Sequence, residues 1–297
     1  MTVPPRERRG ATLKRHRRRR TLAPYLFLAP SLLCVSLFVL LPFLDAVRRS
    51  FYSAMSGQFV GLQNYRTVLH NAAFRLAVGN TLRFTLLCIP VLVALALLLA
   101  LLLQAAKDGR GVYKTTFLAP LAIPVASIVL LWKVVFHQNG MLNSLLSHFG
   151  VQPVDWLQTD WAFLVLVLSY LWKNTGYDMV LWLSGLQNIS PALYEAAQVD
   201  GANARQRFFK ITLPCLLPEL FTISVLSLLN SFKVFREAYL IGGDYPHDSI
   251  YLLQHLFSNW FTSLDVDKMC AAATLVALAV LLLIFAMQAA WGRKENR

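Results

Sequence analysis

The sequence predicts an all-α membrane protein with six transmembrane helices and both termini on the cytoplasmic side. Three observations carry that prediction. Hydrophobic residues make up 57% of the 297 residues, charged residues only 14%, and the mean hydropathy is +0.52, whereas a soluble domain has about 25% charged residues. The apolar residues come in six runs, each close to the ~20 residues that span a bilayer as a helix. The basic residues outside those runs gather on alternate connections, the pattern of a chain whose positive loops stay inside.

The first run, Leu22 to Leu44, follows a basic tail, residues 1–21, that carries Arg6, Arg8, Arg9, Lys14, Arg15 and Arg17 to Arg20. Alone it could be a signal peptide. Five further runs and the lack of a convincing small-residue cleavage site make it an uncleaved first helix. The net charge of +13 therefore reads as a cytoplasmic anchor beside anionic lipid. No nucleic-acid partner is expected, because neither aromatic interleaving nor a binding motif accompanies the tail.

The later runs are Thr81 to Leu103, Phe117 to Phe136, Trp161 to Leu183, Leu216 to Val234 and Met269 to Ala290. Lys107, Arg110 and Lys114 follow the second, Arg205, Arg207 and Lys210 the fourth, and Arg293, Lys294 and Arg297 the last, in a short tail of residues 293–297. With the N-terminal tail these fall on one side. Arg48, Arg49, Arg66, Arg75, Arg236 and Lys268 lie on the other side against the trend, and acidic residues such as Asp155, Asp160, Asp244 and Asp265 lie there too. Residues 22–292 read as one membrane domain, with prolines such as Pro90, Pro120, Pro124 and Pro214 in or beside the spans, where bundle neighbours can satisfy the freed backbone groups.

Cys34, Cys88, Cys215 and Cys270 lie in or at the ends of apolar runs and read as small buried hydrophobes; they and the six scattered histidines make no metal-ligand spacing. No G-x-x-x-x-G-K-[ST] is present, since Gly111-Val112-Tyr113-Lys114-Thr115 lacks the spacing to cradle phosphates. No cofactor is expected in this chain, and no clustered catalytic residues suggest an enzyme.

The informative connection is the one between the fourth and fifth runs, residues 185–213, which reads as two short helices. Ser190 can cap the first with Pro191 in its first turn, Gly201 breaks it, and Asn203 with Gln206 makes a capping box for the second. Leu193, Ala196 and Ala197 form an apolar face on the first helix, and Phe208, Phe209 and Ile211 one on the second. Such an element fits a groove in a soluble partner or lies on lipid.

The spacing Glu195-Ala196-Ala197, Gly201, then Leu213-Pro214 entering the next span resembles the EAA motif of binding-protein-dependent ABC importer permeases. Leu28-Ala29-Pro30-Ser31, Gly61-Leu62-Gln63-Asn64-Tyr65, Asn80-Thr81-Leu82, Leu171-Trp172-Lys173-Asn174 and Ser231-Phe232-Lys233-Val234-Phe235 are similar to the carbohydrate-uptake branch of that family. The resemblance covers roughly residues 22 to 292 and implies the type I ABC importer permease fold in a bacterial or archaeal cell membrane. It implies that Glu195, Ala196, Ala197, Asp200, Gly201, Leu213 and Pro214 couple the chain to a dimeric ATPase subunit that binds the ATP. It further implies a second permease subunit and an extracytoplasmic solute-binding protein as partners. The family often has a Gly-Gly-Gly-Pro-like turn after the fifth span; here Gly242-Gly243-Asp244-Tyr245-Pro246-His247 stands instead.

Polar residues inside spans usually face the bundle interior or a cavity. Lys173, Asn174, Tyr177 and Asp178 in the fourth run, and Asn230, Ser231 and Lys233 in the fifth, are the candidates for a solute path. Lys173 with Asp178 could instead be a structural pair, and Asn230 with Ser231 interhelical glue. Glu219 suits a packing or gating group. An ion-gradient transporter is the alternative function, and it would show inverted repeats or acidic residues at mid-membrane; no repeat is found, and Asp178 alone fits the second feature.

Overall fold

The computed structural model describes residues 25, 27–106 and 109–295, with side chains left aside at 110 and 290–295. The basic tail of residues 1–21, Lys107, Arg297 and the side chains of Arg110, Arg293 and Lys294 therefore lie outside the described residues. By contacts the chain divides into two units, one of residues 1–66 with 266–275, the other of residues 67–265 with 276–297.

In the first unit, helix α1 (Phe27–Arg49) is an apolar rod with a π-turn at Ser36–Leu40. Leu28, Leu32, Phe38 and Leu41 are exposed along it, as expected of a helix whose solvent is lipid. Cys34 is exposed as well, a correction to the expectation of burial, because apolar side chains in a span can point outward. At its end Asp45 pairs with both Arg48 (2.8 Å) and Arg49 (2.6 Å). Two of the arginines that ran against the charge trend thus carry their own counter-ion. Asn64, at the start of α2 (Gln63–His70), is buried and donates from Nδ2 to the carbonyls of Ser50 and Tyr52, both at 2.9 Å. The Tyr65 hydroxyl meets Ser50 Oγ at 2.6 Å. The Gly-Leu-Gln-Asn-Tyr pattern is therefore a clasp on the turn that follows α1.

The second unit is built around α3 (Ala72–Ala105) and α7 (Trp161–Gln187). Asn71 caps α3 by accepting from the Phe74 amide at 3.0 Å. Phe84, Cys88, Leu92, Ala96 and Ala100 recur every four residues on its buried stripe, while Leu82, Leu86, Leu98 and Leu102 face outward. Small residues at Cys88, Ala96 and Ala100 let α7 approach closely, the usual device where lipid offers no hydrophobic drive for helices to associate. Pro90 sits inside α3 without ending it.

The expected third span is two helices, α4 (Arg110–Ala122) and α5 (Val125–Phe136). Pro124 lacks the amide that would continue the helix, and it holds Ile123 in an extended conformation (φ −77°, ψ 130°). Helix α6 (Met141–Ser147) follows. Gly176 of α7 lies so close to α4 that a Cβ there would fall 1.9 Å from the Phe117 carbonyl oxygen.

After α7 come α8 (Pro191–Val199), α9 (Ala204–Arg207), a π-turn at Phe208–Thr212 and α10 (Leu217–Ser231). A 3₁₀ turn at Phe232–Val234 joins α10 to α11 (Phe235–Gly242), so the helical rod runs beyond the expected end at Val234. Helices α12 (Leu253–Thr262) and α13 (Val266–Glu295) complete the chain. Asn80 of α3 donates to the Tyr251 carbonyl at 3.0 Å and Thr81 Oγ1 accepts from the Leu253 amide at 3.1 Å, which ties α3 to the loop before α12.

Among the described residues five helices are long and apolar enough to cross a membrane: Phe27–Arg49, Ala72–Ala105, Val125–Ser147, Leu217–Gly242 and Val266–Ala289. The chain is thus an all-helical, multi-pass membrane protein. Helix α7, the expected fourth span, is long enough at 27 residues, but Lys173, Asn174, Tyr177 and Asp178 cut its hydropathy.

Candidate functional site

Two regions hold the residues singled out from the sequence. The first is the α8 to α10 connection. Ser190 has the extended backbone of an N-cap, yet its side chain caps nothing, against expectation; Pro191 supplies the pre-set first turn. The other end is built as expected. Gly201 has φ +74°, its amide donates to the Gln198 carbonyl (3.0 Å) and the Ala202 amide to the Ala197 carbonyl (2.8 Å), the paired bonds of a Schellman stop. Asn203 and Gln206 exchange side chain to backbone bonds at 2.9 Å each, the capping box of α9.

This connection is anchored on one side only. Tyr194 meets Thr212 Oγ1 at 2.9 Å, and both Tyr194 and Ile211 pack on a core of Met179, Trp182, Leu186, Ile189 and Leu216. The opposite side is open: Leu193, Glu195, Ala196, Asp200 and Gly201 are exposed, and Val199 is 88% exposed. Ala197 is half-buried, Leu213 and Pro214 carry the chain into α10, and Cys215 beside them is exposed, again against expectation. Glu219 of α10 packs against Gly185 of α7, where a Cβ would come within 2.6 Å of its Cγ. Tyr194 is an anchor of this connection that the sequence did not single out; its partner is 18 residues away and no local pattern marks it.

The second region is a cavity of about 600 Å³ between α4, α5, α7, α10 and α11. Lys173, Asn174, Tyr177, Asn230 and Lys233 line it, as do the α4 to α5 break at Ile123 and Pro124, and Tyr170, Arg236 and Glu237. Lys173 Nζ pairs with Glu237 Oε1 at 2.8 Å, so the expected pairing of Lys173 with Asp178 is corrected. Five residues along a helix turn a side chain about 140° round its axis, and Asp178 accordingly points elsewhere. It is buried and accepts from Ser227 Oγ at 2.7 Å, while Tyr170 donates to the Ser227 carbonyl at 3.2 Å. Ser231 is also buried away from the cavity and donates to the Leu228 carbonyl at 2.7 Å. Asp178 and Ser231 thus do not line this cavity; Asp178 ties α7 to α10, and Ser231 bonds back within α10.

With the fifth run ending at Val234, the sequence does not single out Glu237 and marks Arg236 only as a basic residue of the outer side. Their spacing of three and four residues from Lys233 was the available signal. Glu237 is 5% exposed and its Oε2 has no hydrogen-bond partner among the described residues.

Comparison with known proteins places the chain in a family. The family of binding-protein-dependent transport system inner membrane components matches residues 81–294. The trehalose/maltose transport system permease protein MalF of Thermococcus litoralis is 34% identical over 86% of this chain and 89% of its own length. The arabinooligosaccharides transport system permease protein AraP of Bacillus subtilis is 34% identical over 74% of this chain and 72% of its own. The fold is similar to a chain of a bacterial ABC transporter involved in the import of the acidic polysaccharide alginate, with a TM-score of 0.81 and 24% identity over 93% of this chain and 96% of that one. The chain therefore belongs to the family of inner membrane components of binding-protein-dependent transport systems, a permease subunit of an ABC importer and not an enzyme.

Proposed function

We propose that this permease forms one half of the path by which a saccharide or related polar solute enters a bacterial or archaeal cell. It works with a second permease subunit, an ATPase dimer on the cytoplasmic side and an external protein that delivers the solute. Helix α8 with its Gly201 stop is the coupling element, seated in the ATPase. The chain crosses the inner membrane six times, α7 being the fourth crossing, with residues 22–292 as the permease domain and both termini cytoplasmic. The relatives named above are permeases for trehalose or maltose and for arabinooligosaccharides, which supports a sugar as cargo.

The observation that carries this reading is the one-sided anchoring of α8. Tyr194 and Ile211 root it in the core while Leu193, Val199 and Ala196 stay exposed. An apolar face held rigidly outward beside exposed Glu195 and Asp200 has the character of a helix that fills a partner's groove. Closure of the ATPase on ATP would push this rooted helix, and the root lies on α3, α7 and α10, whose rocking would open the cavity to one side or the other.

The test substitutes Gly201. A Cβ there meets nothing within 4 Å, so the residue has room and only its positive φ is special. Gly201→Asn tolerates that φ and keeps ATP-driven uptake in proteoliposomes of the whole assembly. Gly201→Asp places a charge at the docking face and abolishes uptake, while the external protein still binds solute. Uptake by Gly201→Asp at the wild-type rate would refute the coupling role.

A further inference from the structure

The walls of the 600 Å³ cavity carry an unbalanced charge. Lys173, Lys233 and Arg236 face it, and Glu237 is the one carboxylate among its lining residues. Lys173 is committed to Glu237 at 2.8 Å. Lys233 is held by a neutral group, Asn230 Oδ1, at 2.7 Å, and Arg236 makes no ion pair among the described residues. Both are exposed at the cavity, so two cations without an acidic partner among the described residues give it a positive potential that draws in an anion.

From this unbalanced charge we infer that the solute is an acidic saccharide, whose carboxylate, sulfonate or phosphate lies against Lys233 and Arg236. A neutral sugar would leave both cations without a counter-charge. An anion supplies that charge together with charge-assisted bonds, which are about twice as strong as neutral ones. The two cations lie three residues apart across the 3₁₀ turn at Phe232–Val234, so one acidic group can reach both. The inference rests on the cavity being part of the solute path.

The potential of the cavity can be measured without knowing the solute. Ala122 is exposed at the cavity wall, so Ala122→Cys is made in a chain whose four native cysteines are replaced, within the whole assembly. Anionic (sulfonatoethyl) and cationic (trimethylammonioethyl) methanethiosulfonates are then applied, each rate being normalised to a free thiol. The anionic reagent is expected to react about tenfold or more faster than the cationic one, and the ratio to fall toward one in Lys233→Gln/Arg236→Gln. A ratio near one before that change overturns the inference.

Uptake then tests the class. Proteoliposomes of the assembly, loaded with ATP, are given radiolabelled trigalacturonate or maltotriose. Uptake of trigalacturonate, reduced at least tenfold in Lys233→Gln/Arg236→Gln, supports the inference. Uptake of maltotriose alone, or of neither, overturns it. ATP-driven uptake of maltotriose would leave the importer reading intact, whereas that reading fails if the chain recovers no ATPase subunit.

Discussion

Removing the lysine of the Lys173 and Glu237 pair should cost more than removing the whole pair. The two groups lie 2.8 Å apart with side chains 16% and 7% exposed, so at an effective dielectric of about 20 their gross attraction is about 6 kcal/mol. Most of that offsets the loss of hydration, which is why a buried pair contributes little net stability, while breaking one costs about 3–5 kcal/mol. Lys173→Met leaves Glu237 buried with neither carboxylate oxygen partnered among the described residues, and a loss of about 3 kcal/mol is expected. Lys173→Met/Glu237→Leu removes both charges and should return to within about 1 kcal/mol of the wild type. Reversible unfolding in mixed micelles with rising dodecyl sulfate reads all four corners of the cycle. The same double variant should lose solute uptake despite its stability, because two polar residues that line the cavity have gone. Equal destabilisation of the single and double variants would refute the argument.

Three further outcomes follow from other contacts. Gly176→Ala drives a methyl group to within 1.9 Å of the Phe117 carbonyl oxygen; overpacking of that kind costs about 1–3 kcal/mol or more, and yield and unfolding midpoint should both fall. Asn64→Ala strands the Ser50 and Tyr52 carbonyls, both acceptors at 2.9 Å, and should cost about 1–3 kcal/mol, read by the same unfolding assay. His255, in α12 outside the spans, is fully buried, and burial pushes its pKa down to about 4 from 6.5. Between those values the unfolded chain binds a proton that the folded chain refuses, so stability falls as pH drops from 6.5 toward 4, by about 3 kcal/mol in all. His255→Asn, which can still accept from the Leu252 amide, should flatten that slope in a pH series of melts.

What could be read from the sequence was whatever depends on local pattern. The Schellman stop at Gly201 and the box of Asn203 and Gln206 are set by residues within five positions of one another, and both are present. Apolar runs of about 20 residues marked the long helices, and the motif residues Asn64, Asn80 and Thr81 prove to clasp nearby or returning backbone. The misses concern distance along the chain. Lys173 finds its partner 64 residues on, and a local reading offered Asp178, which the helical turn points away. The break at Ile123 and Pro124 needed the recognition that an apolar run can hold two helices. The fifth rod was cut short at Val234 because Lys233, Arg236 and Glu237 lower the hydropathy where the cavity needs them. Five of the seven candidate path residues were nevertheless brought to one cavity, because the cost of polar groups within a span leaves few other places for them.

The central claim is that α8 delivers the ATP cycle of a partner to this bundle, and its most direct test is recovery of that partner. The tagged chain, expressed with the products of its neighbouring genes and purified in mild detergent, is assayed by quantitative mass spectrometry beside Gly201→Asp. The account predicts an ATPase subunit in stoichiometric yield with the wild type and a loss of at least about tenfold with the variant, matching the ~1.4 kcal/mol or more that such a docking contact must supply. A folded, monodisperse wild-type chain recovered with its second permease and without any ATPase would contradict it.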